Sequence, residues 1–303
     1  MHLQSINSHN RDNNIQFFEY GHKYKILTDP NCKYTSVTTW IHNQFPKFNA
    51  DEIILNMTTG DKWKPGHKYW GMTPSEIKAS WNTNGNVASS SGTNMHYSIE
   101  CFMNNPNLSH GYTQLDLFDA YLKKQNDSNS SDSPEWIFFT KFIQDFPELK
   151  PYRTEWMVYH EELRLAGSID MIYEHDDGEL SIYDWKRSKE ISKCGWGKFG
   201  TSHTFKLIPN CNFWHYSLQL NVYRHIIETK YGKKIKNLYL VRLHPNNIDE
   251  TYDLISVPKM NIFSPNPEFQ VQINPDISDS EYLPQAEDIS KNPFRKYMTK
   301  TNK

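Results

Sequence analysis

The chain has 303 residues, of which 37% are hydrophobic and 22% are charged, and its mean hydropathy is −0.77. This composition supplies both a core and a polar surface, and 13 glycines and 16 prolines are too few for a collagen-like or low-complexity chain. The formal net charge of −2, from 33 basic and 35 acidic residues, argues against a protein that coats polyanions.

The four cysteines lie far apart in the sequence, and none forms a Cys-x-x-Cys pair. This spacing predicts neither a disulfide scaffold nor a zinc ribbon, and it favours a reducing compartment. No segment approaches the ~18 apolar residues of a membrane helix, and residues 1–20 lack the apolar core of a signal peptide. We therefore expect a soluble intracellular protein, cytoplasmic or nuclear, without a membrane partner.

The first 90 residues contain short predicted elements separated by polar connections. Alternating polar and apolar residues over 16–40 predict a small strand pair that leads into a helix start at Ser36 to Thr39. A further helix is predicted over 49–57. The stretch that follows is rich in Trp, Lys, Asn, Ser and Gly, which predicts one short helix over 74–81 and then a flexible run. We assign residues 1–90 to an N-terminal extension.

The middle of the chain carries the longest periodic segments. A helix capped by Thr93 is predicted to bury Met95, Ile99 and Phe102. The polar insert 125–133 is predicted to be a surface loop. Three strands joined by short turns then favour an antiparallel meander. After the insert, the predicted elements are a helix over 134–146, strands over 154–159, 163–173 and 180–186, a helix over 213–231 and a strand over 237–243.

This order of helix, three strands, helix and strand predicts an α/β (α+β) fold over residues 91–243. We expect a mixed central sheet flanked by helices. Residues 244–303 are rich in Pro and Asn and have weak periodicity, so we assign them to a C-terminal arm.

Two carboxylates and a lysine fall near the ends of neighbouring predicted strands. Asp170 lies in one strand, and Asp184 and Lys186 end the next. Asp184 and Lys186 are two residues apart, so on a strand they point to the same face, while Trp185 points into packing. Carboxylates suit Mg²⁺, and a neighbouring lysine can neutralise charge that develops on phosphate oxygens. An isolated Asp-x-Lys is more often an exposed ion pair, so this pattern alone does not decide the function.

Two pairs of residues with helical spacing are further candidates. His96 and Glu100 are predicted to lie together at the edge of the buried stripe of the Thr93 helix. They are either an ordinary His-Glu pair or metal ligands that reach past the helix. Gln219 and Tyr223 lie on the inner side of the 213–231 helix, where a buried amide needs partners. Gln219 is then either a satisfied core residue or an amide that orients Lys186 or contacts a substrate backbone.

The connector after Lys186 combines basic and aromatic residues. Residues 186–206 carry six basic residues against Glu190, a net charge of +5. Lysines can follow phosphates while bases stack on rings, so the segment is a candidate polyanion-binding surface. A solvated loop with a few packed aromatics is the alternative. The candidates are Arg187, Lys189, Lys193, Lys198, Lys206, Trp196, Phe199, His203 and Phe205.

Taken together, these motifs resemble the PD-(D/E)XK nuclease superfamily, in particular its RecB-like and Cas4-like exonuclease branch. The resemblance covers roughly residues 91–243, and the predicted order of elements is similar to the restriction-endonuclease-like core of that superfamily. The motifs in chain order are Gly92-Thr93-x-x-His96-x-x-x-Glu100, Thr154-Glu155, Gly167-Ser-Ile-Asp170, Asp184-Trp-Lys186 and Gln219-x-x-x-Tyr223.

The resemblance implies a role for each of the matching residues. It makes Asp170 and Asp184 the main metal ligands, His96 an additional ligand and Lys186 the catalytic lysine. Glu155 would complete a second metal site, and Glu100 is a further candidate ligand. Gln219 and Tyr223 match the helix motif that supports the active site and contacts DNA.

The resemblance also implies an activity and a cofactor. We expect a free-standing, Mg²⁺-dependent deoxyribonuclease of the phage or viral recombination type, in which Mn²⁺ can substitute. Its cysteines do not cluster, which argues against the iron-sulfur cluster of some relatives. DNA ends are the expected partner. Whether a recombination protein or a second copy of the chain is also a partner stays undecided. Alternatives are a nucleic-acid-binding protein on an inactive nuclease fold and an RNA-directed or endonucleolytic member of the same fold.

Overall fold

The structure, a computed structural model, describes residues 1–125, 133–195 and 197–263. It has a mixed α/β fold with a mixed central sheet flanked by helices. The helices are α1 (His2–Ile6), α2 (Val37–His42), α3 (Ala50–Thr59), α4 (Pro74–Met103), α5 (Gln114–Gln125), α6 (Pro134–Asp145) and α7 (Asn212–Lys230). The strands are β1 (Ile15–Phe18), β2 (Lys23–Ile26), β3 (Thr35–Ser36), β4 (Lys150–His160), β5 (Leu165–Glu174), β6 (Leu180–Lys186), β7 (Ile235–Arg242) and β8 (Asp253–Ser256).

The central sheet contains β3 to β8, while β1 and β2 form a separate hairpin. β4, β5 and β6 form the predicted antiparallel meander, and β7 joins β6 in parallel after the crossover through α7. On one edge of β5, β3 pairs with Leu165 and Ala166, and β6 pairs with the stretch from Met171 to Glu174. Residues 167–170, which include Asp170, lie between these two paired stretches. Neither β3 nor β6 pairs with them, so the edge of β5 is open there.

Helices cover both faces of the sheet. One face packs against α2 and α7, through residues such as Trp156 and Ile182. The other packs against α4, α5 and α6, through residues such as Tyr183 and Trp185. Successive residues of β6 therefore alternate between the two cores, as expected for a strand that is buried on both sides.

The helix that carries His96 starts much earlier than predicted. Thr73 caps α4 with a reciprocal bond to Glu76, and the helix then continues for 30 residues to Met103. Thr93 is therefore not an N-cap, because it lies inside the helix and its hydroxyl donates to the carbonyl of Ser89 at 3.1 Å. The capping box at the start and the packed last turns hold the helix across a polar stretch that the sequence suggested would be flexible. The helix also crosses residues 90 and 91 without a break.

Several other elements were not predicted, among them α1, α5 and β8. Helix α5 begins after Thr113, whose backbone and hydroxyl both bond Asp116. Strand β8 lies in the segment assigned to a C-terminal arm and pairs antiparallel with β7. Most of the 125–133 insert, Trp196 and residues 264–303 lie outside the described residues. In the described ranges, no helix is long and apolar enough to cross a membrane.

Candidate metal centre

Three predicted ligands from three different elements meet at the open edge of β5. His96 comes from α4, Glu155 from β4 and Asp170 from β5, and one ligand atom from each lies within 4.8 Å of the others. The Nδ1 atom of His96 is 3.6 Å from Asp170 Oδ2 and 3.8 Å from Glu155 Oε1. β4 and β5 bring the two carboxylates together, because residues 155 and 170 lie between the antiparallel pairs Thr154–Met171 and Trp156–Ile169.

The backbone of Trp185 orients two of these ligands. Its N–H donates to Asp170 Oδ2 at 3.0 Å, and its carbonyl accepts from the Nε2 of His96 at 3.0 Å. The indole is buried in the core with its ring against Phe139 and Phe142. This packing fixes the peptide, and the peptide directs Nδ1 of His96 towards the carboxylates. Such outer hydrogen bonds are typical of metal-binding histidines.

The electrostatics of the cluster favour a cation. Burial alone would lower the pKa of His96, but Asp170 and Glu155 outweigh it and raise the pKa to about 9. Burial raises the pKa of Asp170, and Glu155 adds to this effect, against the opposing charges of His96 and Lys186. The imidazole therefore holds a proton where the carboxylates concentrate negative charge, and a divalent cation can replace that proton.

Glu155 occupies a strained backbone conformation. Its φ angle is +43°, in the left-handed region that non-glycine residues rarely adopt, although it lies inside β4. The hydroxyl of Ser168 donates to Glu155 Oε2 at 2.8 Å and holds the carboxylate towards the site. Strain of this kind clusters at functional sites because the surrounding structure must maintain it.

We expect glycine to be better tolerated than alanine at position 155. Glu155→Gly relieves the left-handed strain, so its free energy of unfolding should exceed that of Glu155→Ala by about 1 kcal/mol. Both variants lose the carboxylate and should lose cation affinity equally. Chemical denaturation and calorimetric Mn²⁺ titration measure the two effects.

Met157→Gly and Met157→Ala, in the same strand, provide the control. There the free energy of unfolding of the alanine variant should exceed that of the glycine variant by about 0.5–1 kcal/mol. Equal stability of the two Glu155 variants would contradict a strained backbone.

Asp184 and Lys186 form an ion pair beside this cluster. Lys186 Nζ lies 2.5 Å from Asp184 Oδ2, and the ammonium is 4.6 Å from the centre of the Tyr216 ring. Burial raises the pKa of Asp184 to about 6, against the opposing charge of Lys186. Burial would lower the pKa of Lys186, but Asp184 and Asp170 raise it above its ordinary value. The predicted shared face of Asp184 and Lys186 is confirmed, whereas Asp184 itself is not one of the three clustered ligands.

Gln219 and Tyr223 lie behind the cluster on α7. Gln219 Nε2 donates to the Tyr223 hydroxyl at 3.4 Å. The Tyr223 ring is buried and packs on Gly167, where a Cβ atom would lie 2.6 Å from the hydroxyl oxygen. The pair therefore supports the backbone of β5 next to Asp170. Direct DNA contact by Tyr223 was also predicted, but its ring is only 3% exposed.

The remaining predicted site residues lie around this centre. Glu100 is half-buried one helical turn from His96, and burial together with Glu155 raises its pKa, but it is not part of the three-residue cluster. Arg187 is paired with Glu135 through Nε at 2.6 Å. Phe205 is a core residue, so its predicted role in base stacking is wrong. Lys189, Lys193 and Lys198 are exposed, and Trp196 lies outside the described residues.

Three side chains at the site were not predicted as functional. The ring of Tyr216 on α7 faces Lys186. Ser168 holds Glu155. Tyr24 of the hairpin lies near Glu155, since burial and then this carboxylate raise the pKa of its hydroxyl to about 12. Only the position of Ser168 between Gly167 and Asp170 could have indicated its role from sequence.

No family model matches the chain, and no curated protein matches it either. Its function must therefore be inferred from the chemistry of the site itself.

Proposed function

We propose that this protein is a metal-dependent nuclease that hydrolyses DNA phosphodiester bonds, and that it acts as an exonuclease in recombination, repair or replication. The observation that carries the proposal is the meeting of His96, Glu155 and Asp170 next to the Asp184–Lys186 ion pair. A cation site beside a positioned ammonium is the arrangement that hydrolysis of a charged phosphodiester requires.

The topology supports the same proposal. The last part of α4, strands β4 to β6, α7 and β7 have the order helix, three strands, helix, strand that the resemblance implies, with α5 and α6 inserted between α4 and β4. Asp170 lies on the second strand, Asp184 and Lys186 end the third, and Gln219 lies on the following helix.

The donor set fits a hard or borderline divalent cation. Two carboxylates and one imidazole can bind Mg²⁺, and the imidazole shifts the preference towards Mn²⁺. Asp170, Glu155 and His96 would hold the ion. When bound, it would supply Lewis-acid activation of a phosphate oxygen and of a water molecule.

The chain's own residues would then divide the remaining work. The ammonium of Lys186 neutralises charge that develops on the phosphate oxygens, and Asp184 holds that ammonium in position. Trp185 keeps His96 and Asp170 in their orientations through its backbone. Gln219 and Tyr223 support β5 from behind, so that Asp170 does not shift on substrate binding.

Degradation of labelled DNA tests the proposal. The purified full-length protein should degrade 5′- and 3′-labelled single-stranded or duplex DNA with Mg²⁺ or Mn²⁺, and EDTA should stop the reaction. Asp170→Asn should lower the rate by about 100-fold or more, which corresponds to about 3 kcal/mol of lost transition-state stabilisation. Asp176→Asn is the matched control, because Asp176 is an exposed carboxylate paired with Lys150.

The substrate panel separates the alternatives. Covalently closed circular DNA should resist an exonuclease, and RNA of the same sequence reveals an RNA-directed enzyme. DNA binding without hydrolysis and without calorimetric Mn²⁺ binding would favour an inactive nuclease fold. Unchanged hydrolysis by Asp170→Asn would rule out this site.

A further inference from the structure

A second concave site lies at the first turn of α7, where His215 lines it. Its cavity has a volume of about 520 Å³ and is bordered by the end of α2, the α2–α3 loop, the start of α3 and the connector. This volume falls in the range of about 300–1,000 Å³ that is typical of small-molecule sites. The predicted metal centre does not include any of its lining residues.

Aromatic rings form part of the cavity wall. Phe45 and His215 lie with ring centroids 4.2 Å apart, and His42 is 5.7 Å from His215. Phe48 is 73% exposed at the same cavity, so its ring is available to a ligand. The buried ring of Phe45, the partly buried ring of His215 and the exposed rings of His42 and Phe48 provide faces on which a planar aromatic group can stack.

The polar groups of the cavity have few internal partners. Asn43, Asn56 and Asn210 form no side-chain hydrogen bond within the described ranges, and Lys198 forms no ion pair there. The Nε2 of His215 is buried without a hydrogen-bond partner among the described residues. Because buried polar atoms are almost always hydrogen-bonded, the unpaired His215 nitrogen is an unused donor or acceptor, and the amides of Asn43 and Asn56 are exposed to a ligand.

Residues of the cavity are adjacent in the chain to residues beside the candidate metal centre. His215 is adjacent to Tyr216, whose ring faces Lys186, and the connector that carries Lys198 starts directly after Lys186. The N–H of Thr201 donates to the carbonyl of Gln44 at 2.7 Å, which fixes the connector against the end of α2. Close packing at Gly195, where a Cβ would lie 2.7 Å from the Lys198 carbonyl, sets the path of the connector.

We infer that this cavity binds a nucleotide unit, with the base against Phe48 and its phosphate near Lys198. This inference rests on the proposed nuclease function and specifies a place outside the candidate metal centre where the enzyme holds a nucleotide unit. Rings for stacking, free amides for the edge of a base and a free lysine for a phosphate are the groups that a nucleotide uses. Glu52, the one carboxylate on the wall, can accept from the amino group of cytosine or guanine.

Equilibrium binding in EDTA tests the inference without any hydrolysis. The probes are the four deoxynucleoside 5′-monophosphates by calorimetry and a labelled single-stranded oligodeoxynucleotide by fluorescence anisotropy. Phe48→Ala should weaken binding about tenfold, as expected for the loss of one base–aromatic contact. Lys198→Ala should reduce the slope of log affinity against log salt by about 0.7, the value for one phosphate contact on a single strand.

Ile248→Ala and Lys123→Ala are matched controls, because they remove an exposed apolar side chain and an exposed lysine away from the cavity. Variant-sensitive binding of monophosphates assigns the cavity to free nucleotides, and an effect on the oligonucleotide alone assigns it to a unit of the DNA chain. If Phe48→Ala and Lys198→Ala bind every probe like the controls, the inference is wrong.

Because binding is measured without metal, the outcome is independent of catalysis. If the wild-type protein fails to hydrolyse DNA while Phe48→Ala still weakens binding, the proposed function fails and the nucleotide site stands. If the wild-type protein hydrolyses DNA and both variants bind like the controls, the proposed function stands and the nucleotide site is wrong.

Discussion

Lys186→Met is expected to reduce DNA hydrolysis about 100- to 1,000-fold, the range found when one group that stabilises transition-state charge is removed. Methionine is unbranched and flexible, so it can fill the space of the lysine stem against Tyr216. Cation affinity should stay the same or rise, because the variant removes a positive charge whose field reaches both Asp170 and His96. A loss of hydrolysis without a loss of cation affinity is therefore the expected result.

The neighbouring carboxylate limits the structural damage in this variant. Burial raises the pKa of Asp184 to about 6 even with Lys186 present. Without the lysine, we expect Asp184 to take up a proton at neutral pH until a cation binds, so that no bare charge stays buried.

Rates on labelled DNA and calorimetric Mn²⁺ titration measure the two effects, with Lys150→Met as the control. Lys150 lies at the start of β4, is half-exposed and pairs with Asp176 instead of with the three clustered residues, so its loss should change neither quantity. A parallel fall of hydrolysis and cation affinity in Lys186→Met would mean that the lysine maintains the structure of the site and does not act on the substrate.

The central elements of the fold could be predicted because local patterns and tertiary structure agree there. Strand β6 alternates between two cores, and the turn before it ends in Gly178 with a φ angle of +77°, as a tight turn of that sequence requires. The shared face of Asp184 and Lys186 follows from strand geometry alone. Each of these features depends on a few consecutive residues.

The features that escaped prediction depend on contacts between distant segments. The middle of α4 has weak helix formers and is exposed, so its conformation is set by the capping box at Thr73 and the packed turns before Met103. The left-handed φ of Glu155 has no sequence pattern, because any residue type can be forced into it by its surroundings. The two hydrogen bonds of the Trp185 backbone involve residues 15 and 89 positions away.

The connector shows why a count of charges predicts a binding surface only in part. Its net charge of +5 suggested a row of free cations. In the structure, Lys186 is paired with Asp184, and Arg187 is paired with Glu135. The partner of Arg187 lies 52 positions away on α6, which no local pattern could reveal. Exposed lysines such as Lys198 therefore carry the accessible positive charge of the connector.

Asp12→Ala is expected to lower the free energy of unfolding by about 3–5 kcal/mol, the cost of leaving a buried charge without its partner. Asp12 and Arg153 form a buried ion pair with Oδ2 and Nη1 2.8 Å apart and side-chain exposures of 8% and 3%. Asp12 also accepts from the indole of Trp156 at 2.8 Å, and Arg153 donates to the carbonyl of Asn7. Chemical denaturation of the full-length protein measures the loss.

Asp51→Ala is the matched control, because Asp51 pairs with Lys78 at a similar distance on the surface and should contribute less than about 1 kcal/mol. Asp12→Asn keeps an acceptor for Trp156, so its loss of unfolding free energy should lie between those of Asp12→Ala and Asp51→Ala. Adding Arg153→Met to Asp12→Ala should recover part of the loss, since the uncompensated charge is then gone. A loss in Asp12→Ala no larger than in the control would contradict a stabilising ion pair.

The same network supports the metal centre. Arg153 and Trp156 lie on either side of Glu155 in β4, and both are bound by Asp12 from the N-terminal segment. The strained φ of Glu155 persists only where neighbouring contacts hold the backbone in place. We therefore expect Asp12→Ala to weaken Mn²⁺ binding even under conditions in which the protein remains folded. The N-terminal segment then contributes to the geometry of a site to which it supplies no ligand.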